Sequence, residues 1–277
     1  MLPFILILGV ALATVAWLLA APLLRRRRRL RWATRALPEH WGDWLRSRVS
    51  FYAGMPIALR ERLHGLMQIF VREKSFVGCN GLVVTEEMRV VIAAHACMLV
   101  LNRPDVPQSH IYDELFSILV YPTRFIVRET DEDAGIVTEG HSVLSGQAWD
   151  SRRIILSWED VCDSASENDN VVLHEFAHYL DMEDETMDGS PGLGSAAAYQ
   201  EWASVFRGEY ERLVEEVDAG RATFLDPYAA SEPAEFFAVT TETFFHQPRE
   251  LQSRHPGLYE QLMKYYRVDP AKWKGDG

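Results

Sequence analysis

The pattern of apolar and polar positions divides the chain into four stretches. Residues 1–24 contain no charged side chain at all. Residues 38–75 carry apolar positions three and four apart with charges between them, which predicts amphipathic helices. Residues 117–160 contain β-branched and aromatic runs separated by turn formers, and helical spacing returns from residue 168 onwards. We therefore expect a helical N-terminal part, a small sheet and a second group of helices, which is an α+β arrangement.

The predicted sheet consists of about five short strands. They are the runs "SILVYP", "RFIVRE", "GIVTE", "HSVLSGQAW" and "RRIILSW". A further β-rich run, "GLVV" at 81–84, precedes "TEE", where a threonine followed by two acids is typical of a helix start. A glycine- and proline-containing segment at 188–195 interrupts the later helices.

The first 24 residues predict a membrane anchor. As a helix they span about 36 Å, which is enough to cross a bilayer. Six arginines follow within "RRRRRLR", whereas a cleavable signal peptide carries its positive charge before the apolar stretch. Arginine-rich flanks stay in the cytoplasm, so we expect an uncleaved single-pass anchor in the inner (cytoplasmic) membrane with everything after Arg25 in the cytoplasm. The alternative is a buried helix of a globular protein.

Charge is distributed unevenly between the two ends of the chain. The first 35 residues hold seven arginines and no acid, so the remainder carries 21 basic against 40 acidic side chains, a formal charge of 21 − 40 = −19. Such a domain lacks the basic surface that nucleic acid requires, while the arginine block suits anionic lipid head groups. Three widely spaced cysteines indicate neither a disulfide framework nor a cysteine zinc site, and they fit a reducing compartment.

The segment "VVLHEFAHYL", residues 171–180, contains the pattern H-E-x-x-H. Residues four apart lie on the same face of a helix, so His174 and His178 can each offer a ring nitrogen to one metal ion. Glu175 is rotated about 100° from His174 and is placed to act as a general base. The preceding "NDN" supplies a helix cap. The alternative is a pair of buried histidines that bond to backbone or carboxylate neighbours.

Catalytic zinc usually has three protein ligands, and the third is expected in "DPYAASEPAEFFAVTTETFFHQP". Pro233 predicts a helix start, and Glu235 is a single carboxylate among apolar neighbours, so we take Glu235 as the third ligand. Glu242, two turns later, is a candidate acceptor for the second ring nitrogen of a ligand histidine. The alternatives are that Glu235 stabilises the helix dipole and that Glu242 is solvated.

Four further residues are weaker candidates for the site. A phenol from Tyr228 could hydrogen-bond the oxyanion of a tetrahedral intermediate, although a loop tyrosine packed on the helix has the same local pattern. Asp181 is a candidate partner for one histidine. Glu183 or Glu185 could bind the amino terminus of a substrate, as aminopeptidase action would need. All three acids belong to the run "DMEDETMD", for which a solvated helix end is the alternative.

Four segments together resemble the MtfA (Mlc titration factor A) family of zinc-dependent M90 peptidases. They are "FVGCNGLVVTEEMRVVIAAHACML", "VLSGQAWDSRRIILSWEDV", "VVLHEFAHYLDMEDE" and "LDPYAASEPAEFFAVTTETFF". The resemblance covers nearly all of 38–273. It implies a zincin domain similar in its core to that of anthrax lethal factor, with His174, His178 and Glu235 as zinc ligands, Glu175 as base and Tyr228 as a transition-state residue. Family members resemble weak aminopeptidases and bind the repressor Mlc, but the soluble ones lack an obvious anchor.

These observations predict an organisation and a function. We expect a transmembrane anchor at 1–24, a basic linker at 25–37, a mainly helical part at 38–116 and a zincin catalytic part with a small mixed sheet at 117–273. The expected activity is that of a membrane-anchored zinc metallopeptidase with one Zn²⁺ per chain, in which zinc-activated water attacks peptide bonds. We expect this activity to be aminopeptidase-like and regulatory. Peptide would pair along the strand "RRIILSW". The alternative is a binding regulator that sequesters an Mlc-like repressor with little or no catalysis.

Overall fold

The computed structural model of the chain describes residues 2–104, 106, 111–123, 153–163, 169–184 and 186–273. In this part of the chain, α-helices surround a three-stranded sheet, in agreement with the expected α+β class. The core is one continuous cluster of buried apolar side chains contributed by the helices of both halves and by all but the first strand. The metal-binding candidates lie on two helices that cross this core.

The N-terminal helix α1 runs without a break from Leu2 to Ala33. It contains a segment, Ile7–Ala33, that is long and apolar enough to cross a membrane, and no part of its most apolar window is buried in the protein. The stretch 25–37, expected as a linker, is helical as far as Ala33. Arginine is a good helix former, and nothing in the arginine block interrupts the helix.

The C-terminal end of α1 docks onto helix α3 (Ile57–Glu73). Four side chains join them, which we call the arginine clamp: Arg25, Arg29, Glu73 and Asp113. Arg29 is 1% exposed and donates to Glu73 (Nε to Oε1 3.0 Å) and to Asp113 (2.8 Å), and Arg25 also donates to Asp113 (2.8 Å). The arginine block was expected to face lipid, and these two members instead bind carboxylates.

Three helices form the rest of the N-terminal part: α2 (Glu39–Arg48), α3 (Ile57–Glu73) and α4 (Glu86–Leu99). The predicted helix start at "TEE" is confirmed, because the hydroxyl of Thr85 accepts a hydrogen bond from the amide of Met88 at 3.2 Å. The β-rich run 81–84 forms no strand. The strand lies just before it, and the chain turns at Asn80 and Gly81, which both have positive φ.

The sheet has the order β1 (Ser75–Gly78), β2 (Ser117–Tyr121) and β3 (Arg153–Ser157). All described strand pairs are parallel, whereas the sequence predicted a mixed sheet. The reason is visible between β1 and β2, where α4 returns the chain to the end of the sheet at which β1 began, as a parallel connection requires. Two of the five predicted strands are β2 and β3, and the other three fall within 124–152, outside the described residues. β1 pairs with β2, so one sheet joins the segments 38–116 and 117–273.

Six α-helices follow the sheet in the described part of the chain: α5 (Trp158–Asp163), α6 (Val171–Asp181), α7 (Ala196–Asp218), α8 (Pro233–His246), α9 (Pro248–Arg254) and α10 (Pro256–Tyr266). Helix α6 packs against α8 on one side and against α4 and β3 on others. Every residue of α8 from Ala234 to Phe245 is buried. Carboxylates on such a helix must have partners inside the protein, because water does not reach them.

Candidate metal centre

Helix α6 begins where the sequence predicted and brings both histidines into the core. The side chain of Asn170 accepts a hydrogen bond from the amide of Leu173 at 2.9 Å and so caps the helix. His174 is 8% exposed and His178 is completely buried. Their Nε2 atoms lie 3.1 Å apart, so both rings point at one position beside the helix.

Helix α8 brings the third candidate to the same position. Pro233 and Glu235 both lie in the first turn of α8, and Glu235 is 1% exposed. One oxygen of Glu235 lies 3.0 Å from Nε2 of His174, and the other lies 3.4 Å from Nε2 of His178. The structure therefore gathers the three residues predicted from two segments about sixty positions apart.

These separations fit a metal ion. A tetrahedral ion with bonds of 2.0 to 2.1 Å holds its ligand atoms about 3.3 Å apart. Among the described residues, neither oxygen of Glu235 accepts a well-directed hydrogen bond, although both are buried. The carboxylate oxygens thus lie close to both ring nitrogens without a well-directed hydrogen bond, as expected of atoms that converge on a shared ion.

The outer nitrogen of His174 has the carboxylate partner that was predicted for it. Nδ1 of His174 lies 2.7 Å from Glu242, whose other oxygen accepts a hydrogen bond from the amide of Asn170. Burial acts to lower the pKa of His174, but the carboxylates of Glu235 and Glu242 outweigh it and raise that pKa well above its usual value. Glu242 thereby fixes the orientation in which the ring presents Nε2.

The carboxylate of Glu235 is held in its charged form. Burial acts to raise its pKa, but the two histidine rings outweigh this and lower the pKa to about 2. A buried anion facing two imidazoles is a suitable ligand set for a divalent cation, because the anion offsets part of the cation's charge.

Tyr228 lies beside the metal-binding candidates in a short 3₁₀ turn, Pro227–Ala230. Asp226 caps this turn by accepting a hydrogen bond from the amide of Tyr228 at 2.8 Å. The ring centroids of Tyr228 and His174 are 6.4 Å apart. Burial, followed by the charge of Glu235, raises the pKa of the phenol, and Glu175 contributes in the same direction. The phenol consequently stays protonated and can donate a hydrogen bond.

A turn at Gly189 connects the two ligand-bearing helices; the sequence predicted the interruption at 188–195 but not this connection. The amide of Gly189 donates to Asp181 at the end of α6 (2.8 Å), and its carbonyl accepts from Trp202 Nε1 (2.9 Å). Gly189 has φ +76°, and a Cβ there would lie 2.4 Å from the carbonyl oxygen of Pro233. The sequence signal for this turn is "MDGSPG", but its contact with Pro233 depends on the fold.

The remaining acidic candidates lie in different surroundings. Glu183 binds Arg103 through two contacts of 2.8 and 2.5 Å, so its carboxylate is already engaged. Asp181 accepts from Gly189, and burial raises its pKa to about 7. Glu185 lies outside the described residues. Glu175 is half-buried on α6, and its charge acts on both Tyr228 and His174.

Comparison with known proteins identifies the family. Residues 23–267 match the family described as glucose-regulated metallo-peptidase M90. The chain belongs to the M90 metallopeptidase family. It is 33% identical over 216 residues to Mlc titration factor A of Yersinia pestis and to that of Yersinia pseudotuberculosis, covering 76% of this chain and 78% of each relative.

Another relative matches along a greater length. The uncharacterized protein slr2042 of Synechocystis sp. is 41% identical over 275 residues, covering 98% of each chain. A match that leaves only 2% of this chain uncovered must include most of α1. The apolar N-terminal helix therefore has a counterpart in that relative.

Proposed function

We propose that this M90 family member is a membrane-anchored, zinc-dependent metallopeptidase. The observation that carries the proposal is the buried group of His174, His178 and Glu235, whose possible ligand atoms all lie within 4.8 Å of one another. Two imidazoles and one carboxylate form a ligand set typical of catalytic zinc, which keeps a fourth position for water or substrate, and zinc would displace any proton from the nitrogen it binds. One Zn²⁺ per chain would bind through Nε2 of each histidine and the carboxylate of Glu235.

When bound, zinc would polarise the scissile carbonyl and lower the pKa of water. Glu175 acts as the general base, because its carboxylate is half-buried on the helix that carries both histidines. It accepts a proton from the attacking water and passes that proton to the leaving amine. Tyr228 donates a hydrogen bond to the oxygen on which negative charge develops, since its raised pKa keeps the phenol protonated.

The substrate in this proposal is a peptide that binds in extended form. β3 is the terminal strand of the described sheet and is followed by α5 and then by α6, so a peptide added alongside it would lie near the metal-bearing helix. Aminopeptidase action requires an acid that binds the substrate's amino terminus. Glu183 is engaged by Arg103, and this favours another group for that role.

Helix α1 supplies the anchor in the same proposal. Its first 24 residues are uncharged and its arginine block follows directly, so the N-terminus faces away from the cytoplasm and the catalytic body lies at the inner face of the cytoplasmic membrane.

The experiment compares the full-length chain in detergent with Glu175→Gln and His174→Ala. We expect about one zinc per wild-type chain by elemental analysis, the same content in Glu175→Gln, and loss of zinc in His174→Ala. Peptide hydrolysis should be present in the wild type and absent from both variants. The ends of the cleavage products separate aminopeptidase from endopeptidase action. Wild-type turnover by Glu175→Gln would refute the role of the base.

A second function is favoured by the relatives named Mlc titration factor A. In this reading the body binds a transcriptional repressor and holds it at the membrane, with little or no catalysis. Tight binding of an Mlc-type repressor by both wild type and Glu175→Gln, with no peptide cleaved by either, would support it. The intact base Glu175 favours catalysis, because a purely structural metal site does not need that residue.

A further inference from the structure

The arginine clamp fixes one end of the protein body at the level where the apolar helix ends. Arg25 directly follows the uncharged stretch 1–24 of α1, and its side chain lies 2.8 Å from Asp113. Arg29, one turn further along, binds both Asp113 and Glu73. If α1 spans a bilayer, these two acids lie at its head-group layer, which is roughly 5 to 8 Å thick on each side.

Helix α3 runs back along α1. It shows which end of the protein body, the part of the chain that follows α1, lies toward the apolar part of α1. Glu73, at the C-terminal end of α3, meets Arg29, whereas Gly65, two turns earlier, meets Ala33 further along α1. The two helices are therefore antiparallel, and the end of α3 at Glu73 points toward the apolar part of α1. The other end of α3, at Ile57, lies about 24 Å away along the helix.

A large apolar side chain, Phe116, is exposed at the end that points toward the apolar part of α1. Its side chain is 61% exposed, and its backbone oxygen accepts a hydrogen bond from the amide of Ser75 at 3.1 Å. Ser75 follows Glu73 by two residues, and Phe116 follows Asp113 by three, so the Cα of Phe116 lies within about 11 Å of the Cα atoms of both clamp acids. The hydrogen bond to Ser75 and the short chain separation from Asp113 are independent of each other, and both place Phe116 near the arginine clamp.

We propose that Phe116 inserts into the head-group and acyl boundary of the bilayer and forms, with α1, a second contact between the body and the membrane. This inference rests on the anchoring role proposed for α1. Aromatic side chains are enriched at this depth of the bilayer, because an apolar ring gains by leaving water there. The exposed Arg26, Arg27 and Arg28 lie on α1 between the two arginines of the clamp and supply positive charge that attracts anionic lipids.

The test places the photoreactive amino acid p-benzoylphenylalanine at one position at a time in the full chain. The chain is reconstituted into vesicles of phosphatidylethanolamine and phosphatidylglycerol and irradiated. Intact mass spectrometry then measures the mass that a cross-linked lipid adds to the protein. Leu19 in α1 is 69% exposed and serves as the positive control. Ile57 is 70% exposed at the far end of α3 and is the matched control. We expect lipid adducts at positions 19 and 116, with a yield at 116 several-fold above that at 57.

The outcomes distinguish the proposed contact of Phe116 with lipid from the proposed anchoring role of α1. Adducts at 19 with none at 116 would overturn the contact of Phe116 and leave the anchor standing. Equal yields at 57 and 116 would also overturn it, since the body would then have no preferred membrane-facing end. No adduct at 19 would overturn the anchor itself, and the inference with it.

Discussion

At the scale of single residues, the metal centre depends on side chains that do not themselves bind the metal. Nδ1 of His174 is 2.7 Å from Glu242, and this contact decides which ring nitrogen faces Glu235. Among the described residues, Nδ1 of His178 has no hydrogen-bond partner although it is buried. The two histidines are therefore held differently, and we expect His174 to respond more strongly to a change in its surroundings.

Glu242→Gln should weaken zinc binding by about 10- to 100-fold without unfolding the protein. The amide keeps the size of the carboxylate, but it loses the charge, and its NH₂ group would face the amide of Asn170, which is also a donor. Zinc affinity is measured by competition with a chelating dye. Glu250→Gln, on the exposed surface, is the control. Equal zinc affinity in the two variants would contradict the role of Glu242.

Lys74 should make the stability of the fold depend on pH. Its side chain is 8% exposed and donates to the carbonyls of Tyr112 and Leu115, and burial lowers its pKa from 10.5 to about 8. Because the folded state favours the neutral amine, the cost of Lys74 is full below pH 8 and disappears as the pH rises past 10.5. This cost is at most about 3 kcal/mol.

The measurement is the free energy of unfolding of wild type and Lys74→Met in detergent between pH 7.5 and 10.5. The wild type should gain stability relative to the variant as the pH rises through this range. Other groups titrate in both proteins, so only the difference between them is compared. A difference that stays constant with pH would show that Lys74 is not the group responsible.

At the scale of elements, the sequence predicted the helices of the site better than it predicted what holds them together. The cap at Asn170 and the start of α8 at Pro233 are local signals, and both helices begin where these residues indicate. The burial of Arg29 is different, because it is one of five consecutive arginines and only the position of Glu73 distinguishes it. Contacts between distant segments leave no local pattern in a sequence.

Gly189→Ala should disturb the third ligand through the start of α8. A Cβ at 189 would press on the carbonyl of Pro233, two residues before Glu235, and the φ of +76° adds strain of about 1 kcal/mol for a residue other than glycine. We expect a lower unfolding temperature and reduced zinc content. Gly192→Ala is the control, because a Cβ there meets nothing within 4 Å. Unchanged zinc content in Gly189→Ala would contradict this link.

Arg29→Ala should loosen the attachment of α1 to the body. It removes the buried partner of Glu73 and Asp113, and losing one partner of a buried pair costs about 3 kcal/mol, or less here because Arg25 remains. Thermal unfolding of the full chain measures the loss. Arg27→Ala, at an exposed position of the same helix, should be close to neutral. If both variants unfold at the wild-type temperature, the clamp does not stabilise the fold.

At the scale of the whole molecule, the class of fold was predictable and the direction of the strands was not. The β-branched and aromatic runs "SILVYP" and "RRIILSW" identified β2 and β3. Four-residue β1 is too short for a pattern of its own, and without it the parallel crossover through α4 could not be inferred. The metal ligands were predictable because their chemistry requires particular residue types, whereas Gly189 acts through its backbone alone.

The continuity of α1 has a mechanical consequence. Because the helix is unbroken from its apolar part to Arg29 and is held there on the body, any rotation of the span about its axis turns the body by the same angle. One residue inserted before Arg25 would turn the body by about 100° and shift it by about 1.5 Å relative to the span. The number of residues in α1 thus sets the orientation of the metal centre about the axis of this helix, although α1 does not contact the metal centre.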